Sequence, residues 1–135
     1  MTVIITTHDL GVVADIASSV AVMYAGQIIE QGPADRVLEH PVHPYTRALV
    51  GAFPDPAARG KPLPGVEGSV PLPQNWPSWC RFADRCSYVR PECTAGPIAL
   101  LPVRTNQAAR CIRADEFTED EHDGTASARN QRSAG

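Results

Sequence analysis

Long apolar runs are missing from this 135-residue sequence. No stretch approaches the ~18 apolar residues that a membrane-spanning helix needs, so we expect no direct membrane span. The formal net charge is -3, and without a basic stripe we expect no nucleic-acid binding. The first residues lack the basic and long apolar regions of a signal peptide, which favours a cytoplasmic protein. No G-x-x-x-x-G-K-[ST] motif is present to cradle nucleotide phosphates.

A short apolar run opens the chain and ends at a histidine. The branched residues 3–5 predict a buried strand. Asp9 is placed to cap a following helix that runs to about residue 17. His8 therefore lies between the carboxyl end of a strand and the start of a helix, where open α/β sheets bind ligands. A turn histidine without chemistry is the plain alternative.

The next segment predicts a β-hairpin followed by helical turns. Residues 19–24 and 27–32 read as strands, joined by Ala25 and Gly26 in a two-residue turn. Pro33 suits the first position of a short helix, and Pro44 suits the first position of another. His40 and His43, each beside a proline, are interpreted as turn residues rather than ligands.

Three phrases in this order resemble one family. They are I-I-T-T-H-D-L at residues 4–10, V-A-V-M-Y-A-G-Q-I-I-E-Q-G at residues 20–32 and H-P-Y-T-R-A-L at residues 43–49. The chain is similar to the C-terminal part of the ATP-binding subunit of oligopeptide and dipeptide ABC importers, a group that includes nickel importers. The fold class implied is α/β: the strand–helix–β-hairpin–helix end of an ABC nucleotide-binding domain, followed by a Pro-rich, Cys-containing irregular extension.

The resemblance implies a role for His8 in energising peptide import. In the family, this switch histidine contacts the γ-phosphate of ATP, and ATP with magnesium is bound only by the intact subunit. The implied partners are a second ATP-binding subunit and transmembrane permease subunits, which would hold the protein at the inner face of the cell membrane. The Walker A, Walker B and L-S-G-G-Q motifs of the family are not present in these residues, so we expect the chain alone to be inactive.

Composition divides the chain into four segments. Residues 1–53 hold the regular patterns and are interpreted as the piece of the ATPase domain. Prolines and glycines punctuate residues 54–79, which predict either an ordered connector or a disordered linker. Residues 80–115 hold the cysteines, and the polar residues 116–135 predict a disordered tail.

All four cysteines fall in one segment. They are Cys80, Cys86, Cys93 and Cys111, with the spacing C-x5-C-x6-C-x17-C. A segment this poor in apolar periodicity needs a cross-link or a metal as a staple. Positive charge near the cysteines would favour thiolates, although a solvated basic face is the better explanation for any single arginine. The arginines that flank the cysteines are Arg81, Arg85, Arg90, Arg110 and Arg113.

Four chemistries remain open for these cysteines. Disulfides suit exported proteins rather than this one. Zinc accepts four thiolates, but its structural sites usually contain a C-x2-4-C chelate. A [4Fe–4S] cluster tolerates wider spacing, and some related importer subunits carry one in this region. The last alternative is reduced cysteines without metal. The competing functions are a non-catalytic metal- or iron–sulfur-binding interaction module and a non-functional truncated remnant.

Overall fold

The computed structural model describes residues 1–52 and 66–118. Its helices and strands follow in the order α1 (Leu10–Ile16), β1 (Ser19–Tyr24), β2 (Gln27–Pro33), α2 (Ala34–Glu39), α3 (Pro44–Gly51), β3 (Leu101–Arg104) and β4 (Gln107–Ala109). Short 3-10 turns lie at Pro73–Asn75, Ala83–Arg85 and Pro91–Thr94. Residues 114–118 are helical. The first part of the predicted connector and residues 119–135 of the predicted tail lie outside the described residues.

The predicted hairpin is present as β1 and β2. Its turn uses positive φ at both central residues, 46° at Ala25 and 75° at Gly26, as a two-residue turn between twisted strands requires. The strand pair is antiparallel, with a bulge between Val22 and Met23. β2 extends through Pro33 and α2 begins at Ala34, so the helix starts one residue later than predicted.

Two further strands were not predicted. β4 pairs antiparallel with β2, and β3 pairs with β4, which gives a four-stranded sheet in the order β1-β2-β4-β3. Asn106, at a φ of 62°, allows the tight turn between β3 and β4. Prediction of a wholly irregular extension was therefore wrong for this part, because residues 101–109 join the sheet of the hairpin.

The predicted strand over residues 3–5 is absent from the structure. This segment has no regular structure, and the side chain of Ile4 is 91% exposed. A strand is stabilised by its neighbours, and the four strands among the described residues pair elsewhere. The predicted cap at Asp9 is confirmed, since its side chain accepts hydrogen bonds from the amides of Gly11 and Val12.

Buried apolar side chains form two clusters, and each cluster combines residues 24–42 with residues 82–117. In one cluster, Tyr24 and Ile29 of the hairpin pack with Phe82, whose ring lies 5.2 Å from that of Tyr24. In the other, Val42 packs with Ala109, Ala114 and Phe117. We name residues 19–51 the hairpin–helix unit and residues 80–118 the thiol extension. The shared clusters make these two parts one packed body.

None of the helices within residues 1–52 and 66–118 is long and apolar enough to cross a membrane.

Candidate functional site

Glu30 links the hairpin–helix unit to the thiol extension from a fully buried position. One side-chain oxygen accepts from the amide of Val42 at 2.9 Å and from Nε2 of Gln107 at 2.8 Å. The other accepts from the amide of His43 at 2.8 Å. Buried polar groups need such partners. One side chain of β2 thus fixes both the approach to α3 and the start of β4.

Arg110 provides a second link directly beside a cysteine. Its amide donates to the carbonyl of Ile29 at 2.7 Å. Its guanidinium donates from Nε to the carbonyl of Ile28 at 3.0 Å and from Nη1 to that of Ile98 at 2.8 Å. The backbone that leads into Cys111 is therefore held against β2.

All four cysteines line one apolar cavity, which we name the thiol cavity. His43, Phe82 and Phe117 form part of its wall. The cysteines are free thiols, and Cys93 is buried while the other three are half-buried. The structure thus brings the four cysteines together at one cavity, and their role as metal ligands stays a prediction.

Tight backbone turns position the cysteines. The 3-10 turn Ala83–Arg85 lies between Cys80 and Cys86, and the turn Pro91–Thr94 contains Cys93. The amide of Cys80 donates to the carbonyl of Cys93 at 3.2 Å, which joins these two turns. Proline and short polar residues favour such turns over helix or strand. The sequence thus builds loops whose cysteines face a common space.

The sulfur of Cys93 accepts a hydrogen bond from a backbone amide, since the amide of Arg90 donates to its Sγ at 3.4 Å. Amide donors stabilise negative charge on sulfur, so the loop at Cys93 is arranged to support a thiolate. At the other three cysteines, nearby backbone groups oppose the rise in pKa that burial causes; these groups belong to Phe82 for Cys80, Tyr88 for Cys86 and Arg113 for Cys111.

Burial opposes that charge when nothing is bound. Burial, together with the neighbouring cysteines and against the backbone of Arg113, raises the pKa of Cys111 to about 11. Burial also raises the pKa values of Cys80 and Cys86. Metal binding requires deprotonated thiols. A cation in the cavity would therefore offset both the burial and the mutual repulsion of the sulfurs.

The arginines near the cysteines have mainly structural partners. Arg81 donates from Nη1 to the carbonyl of Ala25 at 2.6 Å and lies 4.4 Å from the ring of Trp76. Arg85 donates to the carbonyls of Val66 and Glu67. Only Arg113 is close enough to Cys86 to oppose the rise of that thiol's pKa. The interpretation that nearby arginines favour thiolates therefore applies chiefly to Arg113.

His43 is a wall residue that sequence reasoning assigned to a turn. Its ring is 1% exposed and caps α3, since Nδ1 accepts from the amide of Tyr45 at 3.0 Å. Burial lowers its pKa to about 4, against a hydrogen bond with the backbone of Arg110. The signal in the sequence was a polar side chain directly before Pro44, since such residues cap helices that begin with proline.

His8 lies apart from this cavity. It is exposed and directly precedes Asp9, the cap of α1. No residue of the thiol cavity belongs to the N-terminal segment. The structure therefore holds the two predicted sites separately, and the catalytic role of His8 stays a prediction.

Within the described ranges, 1–52 and 66–118, no group of three or more His, Cys, Asp or Glu side chains is arranged so that it could hold a metal ion. The donor type is that of a metal–sulfur centre, because four cysteines line one cavity, and the metal itself stays a prediction.

The match between the chain and a known protein family covers residues of both the hairpin–helix unit and the thiol extension. Residues 29–93, from β2 to Cys93, match the family model for the oligopeptide/dipeptide transporter, C-terminal region. The chain belongs to the oligopeptide/dipeptide transporter family. This match spans the hairpin strand that carries Glu30 and three of the four cysteines, so the family model crosses both parts of the packed body.

Similar full-length proteins are longer than this chain. A protein of Brucella abortus (strain 2308) named for peptide import and ATP binding is 41% identical over 111 residues, which are 82% of this chain and 33% of that protein. A similarly named protein of Brucella ovis is 43% identical over 123 residues, or 87% of this chain and 36% of its own length. The chain thus spans about a third of the length of these relatives.

Proposed function

We propose that this chain is the C-terminal portion of the ATP-binding subunit that energises ABC-type import of oligopeptides or dipeptides. The observation that carries the proposal is the 41% identity over 82% of the chain to a protein named for peptide import and ATP binding. In the intact subunit, ATP binding closes a dimer with a second ATP-binding subunit and hydrolysis reopens it. The movement drives transmembrane permease subunits, which hold the protein at the inner face of the cell membrane.

His8 is the residue through which this chain takes part in hydrolysis. An imidazole can donate a hydrogen bond to a γ-phosphate oxygen, and such a bond lowers the barrier where charge develops in the transition state. The exposed ring next to the Asp9 cap is compatible with this role. The exposed apolar side chains of Val3, Ile4 and Ile5 are expected to pack against further strands of the intact subunit.

A substitution in the intact subunit tests this function. The reading frame, extended upstream of Met1, is expressed with its permease, and His8→Ala is compared with Asp15→Ala, an exposed change on α1. We expect His8→Ala to lower ATP hydrolysis by about 100-fold or more, the scale of losing one charge-stabilising donor, while Asp15→Ala stays near the wild-type rate. Unchanged hydrolysis in His8→Ala, or an upstream frame without a G-x-x-x-x-G-K-[ST] motif, contradicts the proposal.

We also infer that the thiol cavity holds a metal centre, and that a [4Fe–4S] cluster is the centre its four cysteines suit best. The support is the cavity that all four cysteines line and the amide of Arg90, which donates to Sγ of Cys93, because hydrogen bonds to sulfur tune thiolate-bound iron. When bound, the centre supplies a cross-link between loops, and the chain supplies four thiolates. Zinc is the alternative occupant.

Metal analysis of the full 135-residue chain decides the occupant. After anaerobic purification we expect about four iron and four sulfide per chain, with broad absorption near ~400 nm. Cys111→Ser should lower the iron content, while Ser87→Ala, an exposed change beside Cys86, should not. One zinc per chain without iron would replace the cluster by a zinc site, and a chain that binds neither metal would overturn the metal centre.

A further inference from the structure

One of the four cysteines comes to the thiol cavity from a separate part of the chain. Cys80, Cys86 and Cys93 lie close together in sequence, and the amide of Cys80 donates to the carbonyl of Cys93 at 3.2 Å. Cys111 lies beyond β4, on the other side of the β3–β4 hairpin. The segment that carries Cys111 therefore needs its own attachment to the loops that carry the other three.

The side chain of Arg113 makes this attachment. Arg113 follows Cys111 by two residues, and both residues line the thiol cavity. Its Nη1 donates to the carbonyl of Tyr88 at 2.5 Å, and Tyr88 belongs to the loop between Cys86 and Cys93. The side chain of Arg113 is 16% exposed. One guanidinium thus joins the segment after Cys111 to the loop that connects two other cysteines.

Glu116 fixes the orientation of this guanidinium. Nε of Arg113 donates to both carboxylate oxygens of Glu116 at 3.0 Å, and Nη2 of Arg113 donates to Oε2. On its other side, Oε1 of Glu116 lies 3.1 Å from Nη1 of Arg90, which belongs to the same loop as Tyr88. Pairs of this bidentate kind add geometric specificity as well as attraction. The carboxylate therefore bonds to arginines from both segments.

Two aromatic rings pack at the same junction. The rings of Tyr88 and Phe117 lie 5.0 Å apart at an angle of 78°, and both residues line the thiol cavity. The guanidinium carbon of Arg113 lies 6.0 Å from the centroid of each ring. Exposed ion pairs alone contribute little. The carbonyl bond and the two rings make this junction more than an exposed ion pair, since cations over aromatic faces are attracted to them.

We propose that Arg113 is a positioning residue for the thiol cavity: its guanidinium holds the segment that follows Cys111 against the loop between Cys86 and Cys93, and so keeps Cys111 at the cavity with the other cysteines. The purpose of this role rests on the proposed metal centre, whereas the bonds themselves are those of the metal-free chain. Groups behind the ligands of metal sites orient those ligands in the same indirect way.

Two substitutions separate positioning from charge. The competing role for Arg113 is electrostatic, because a positive charge near cysteines favours thiolates. Arg113→Lys keeps the charge, but its compact ammonium cannot replace the planar fork that bonds Glu116 and the Tyr88 carbonyl together. Arg113→Ala removes both the charge and the bonds. Arg36→Lys, an exposed change on α2 away from the cavity, is the matched control.

The first readout is the alkylation rate of each cysteine in the reduced, metal-free full chain, measured by mass spectrometry as the ratio of Cys111 to Cys80. We expect this ratio to rise roughly five-fold in Arg113→Lys and to rise in Arg113→Ala, the effect of a lost hydrogen bond on local opening. Arg36→Lys should match wild type. An electrostatic role predicts no change in Arg113→Lys and a fall in Arg113→Ala. Either of these results, or equal acceleration of all four cysteines, overturns the proposal.

The second readout is reconstitution with iron and sulfide under anaerobic conditions. We expect Arg113→Lys to give a lower iron content and an altered visible circular dichroism spectrum, and Arg36→Lys to resemble wild type. If wild type binds no iron, the metal centre fails while the alkylation ratio still decides the role of Arg113. If wild type binds iron and Arg113→Lys matches it in iron content and spectrum, the positioning role fails and the metal centre stands.

Discussion

The N-terminal segment, residues 1–17, and the thiol extension are attached to the hairpin–helix unit in different ways. The bonds that hold α1 are local ones, from its own turns and the Asp9 cap, and none of its residues is buried. The thiol extension shares a sheet, two apolar clusters and the Glu30 network with the unit. The N-terminal segment carries the family phrase I-I-T-T-H-D-L, and the match to the family model reaches Cys93 of the thiol extension. Similarity to the family is therefore found in both regions, but only the thiol extension has its packing partners within the described residues.

Removing the side chain of Glu30 is the change that should damage this attachment most. Glu30→Ala leaves the buried amides of Val42 and His43 without their acceptor, while Nε2 of Gln107 keeps only the carbonyl of His40. We expect the free energy of unfolding to fall by roughly 3 to 5 kcal/mol, since each unsatisfied buried group costs about 1–3 kcal/mol. Urea unfolding measures it.

Two companion variants interpret the Glu30 result. Glu39→Ala, an exposed change on α2, should stay within about 0.5 kcal/mol of wild type. Glu30→Gln keeps one acceptor oxygen and should fall between wild type and Glu30→Ala. Similar stabilities for all variants would mean that the two parts are not held together through Glu30.

Acid should weaken the same attachment through His43. Its pKa is about 4 in the folded chain against 6.5 for an ordinary histidine, so the unfolded chain binds a proton first as the pH falls. The contribution is fully present above pH 6.5 and is lost between pH 6.5 and 4, lowering the free energy of unfolding by about 3 kcal/mol. Urea unfolding across this pH range measures the loss.

His43→Asn is the control for this pH dependence because it removes the ring and can keep the cap. The difference in slope between wild type and this variant isolates the histidine from the carboxyl groups that also titrate in acid. Parallel pH profiles for the two proteins would show that protonation of His43 is not opposed by folding.

A substitution in the turn of the hairpin should cause a smaller loss of stability. A Cβ at Gly26 would lie 2.4 Å from Cη2 of Trp76, on a backbone with a φ of 75°. Gly26→Ala should lower the free energy of unfolding by about 2 kcal/mol, from strain and displacement of Trp76. Gly51→Ala meets nothing within 4 Å in α3 and should be neutral or stabilising by up to about 1 kcal/mol. Equal effects of the two changes would place Trp76 away from the turn.

The smallest effect is expected at the N-terminal segment. Asp9→Ala removes both cap hydrogen bonds of α1, a change of about 1 kcal/mol in local helix stability. Because α1 has no buried residue, we expect circular dichroism to lose a little helix while the urea midpoint of the hairpin–helix unit stays the same. Asp9→Asn can keep the cap and serves as the control. A shifted midpoint in Asp9→Ala would show that α1 is coupled to the packed body.

The parts of the fold that local signals encode were predictable from sequence. The turn at Ala25 and Gly26, the Asp9 cap and the helix beginning at Pro44 each depend on residues within a few positions of one another. The prediction of a strand over residues 3–5 was wrong although the composition is typical of a strand, because a strand also needs a partner strand.

The rest depends on contacts between residues distant in sequence. Gln107 meets Glu30 across 77 positions, and β3 and β4 are four and three residues long, too short for a period to show. The four cysteines could be grouped because they are rare and clustered. His43 could not be added to them, since it lies far from the cysteines in sequence and is brought to their cavity only by the fold.

Native-state hydrogen exchange tests the attachment of the thiol extension most directly. The amide of Arg110 is bonded across the junction to the carbonyl of Ile29, and the amides of Val42 and His43 are bonded to Glu30, whose side chain also accepts from Gln107 of the thiol extension. We predict that they exchange with the same opening free energy as the amides that pair β1 with β2, while the amides of residues 2–6 exchange at the rate of an unfolded peptide. Protected hairpin amides beside freely exchanging amides at His43 and Arg110 would contradict the account.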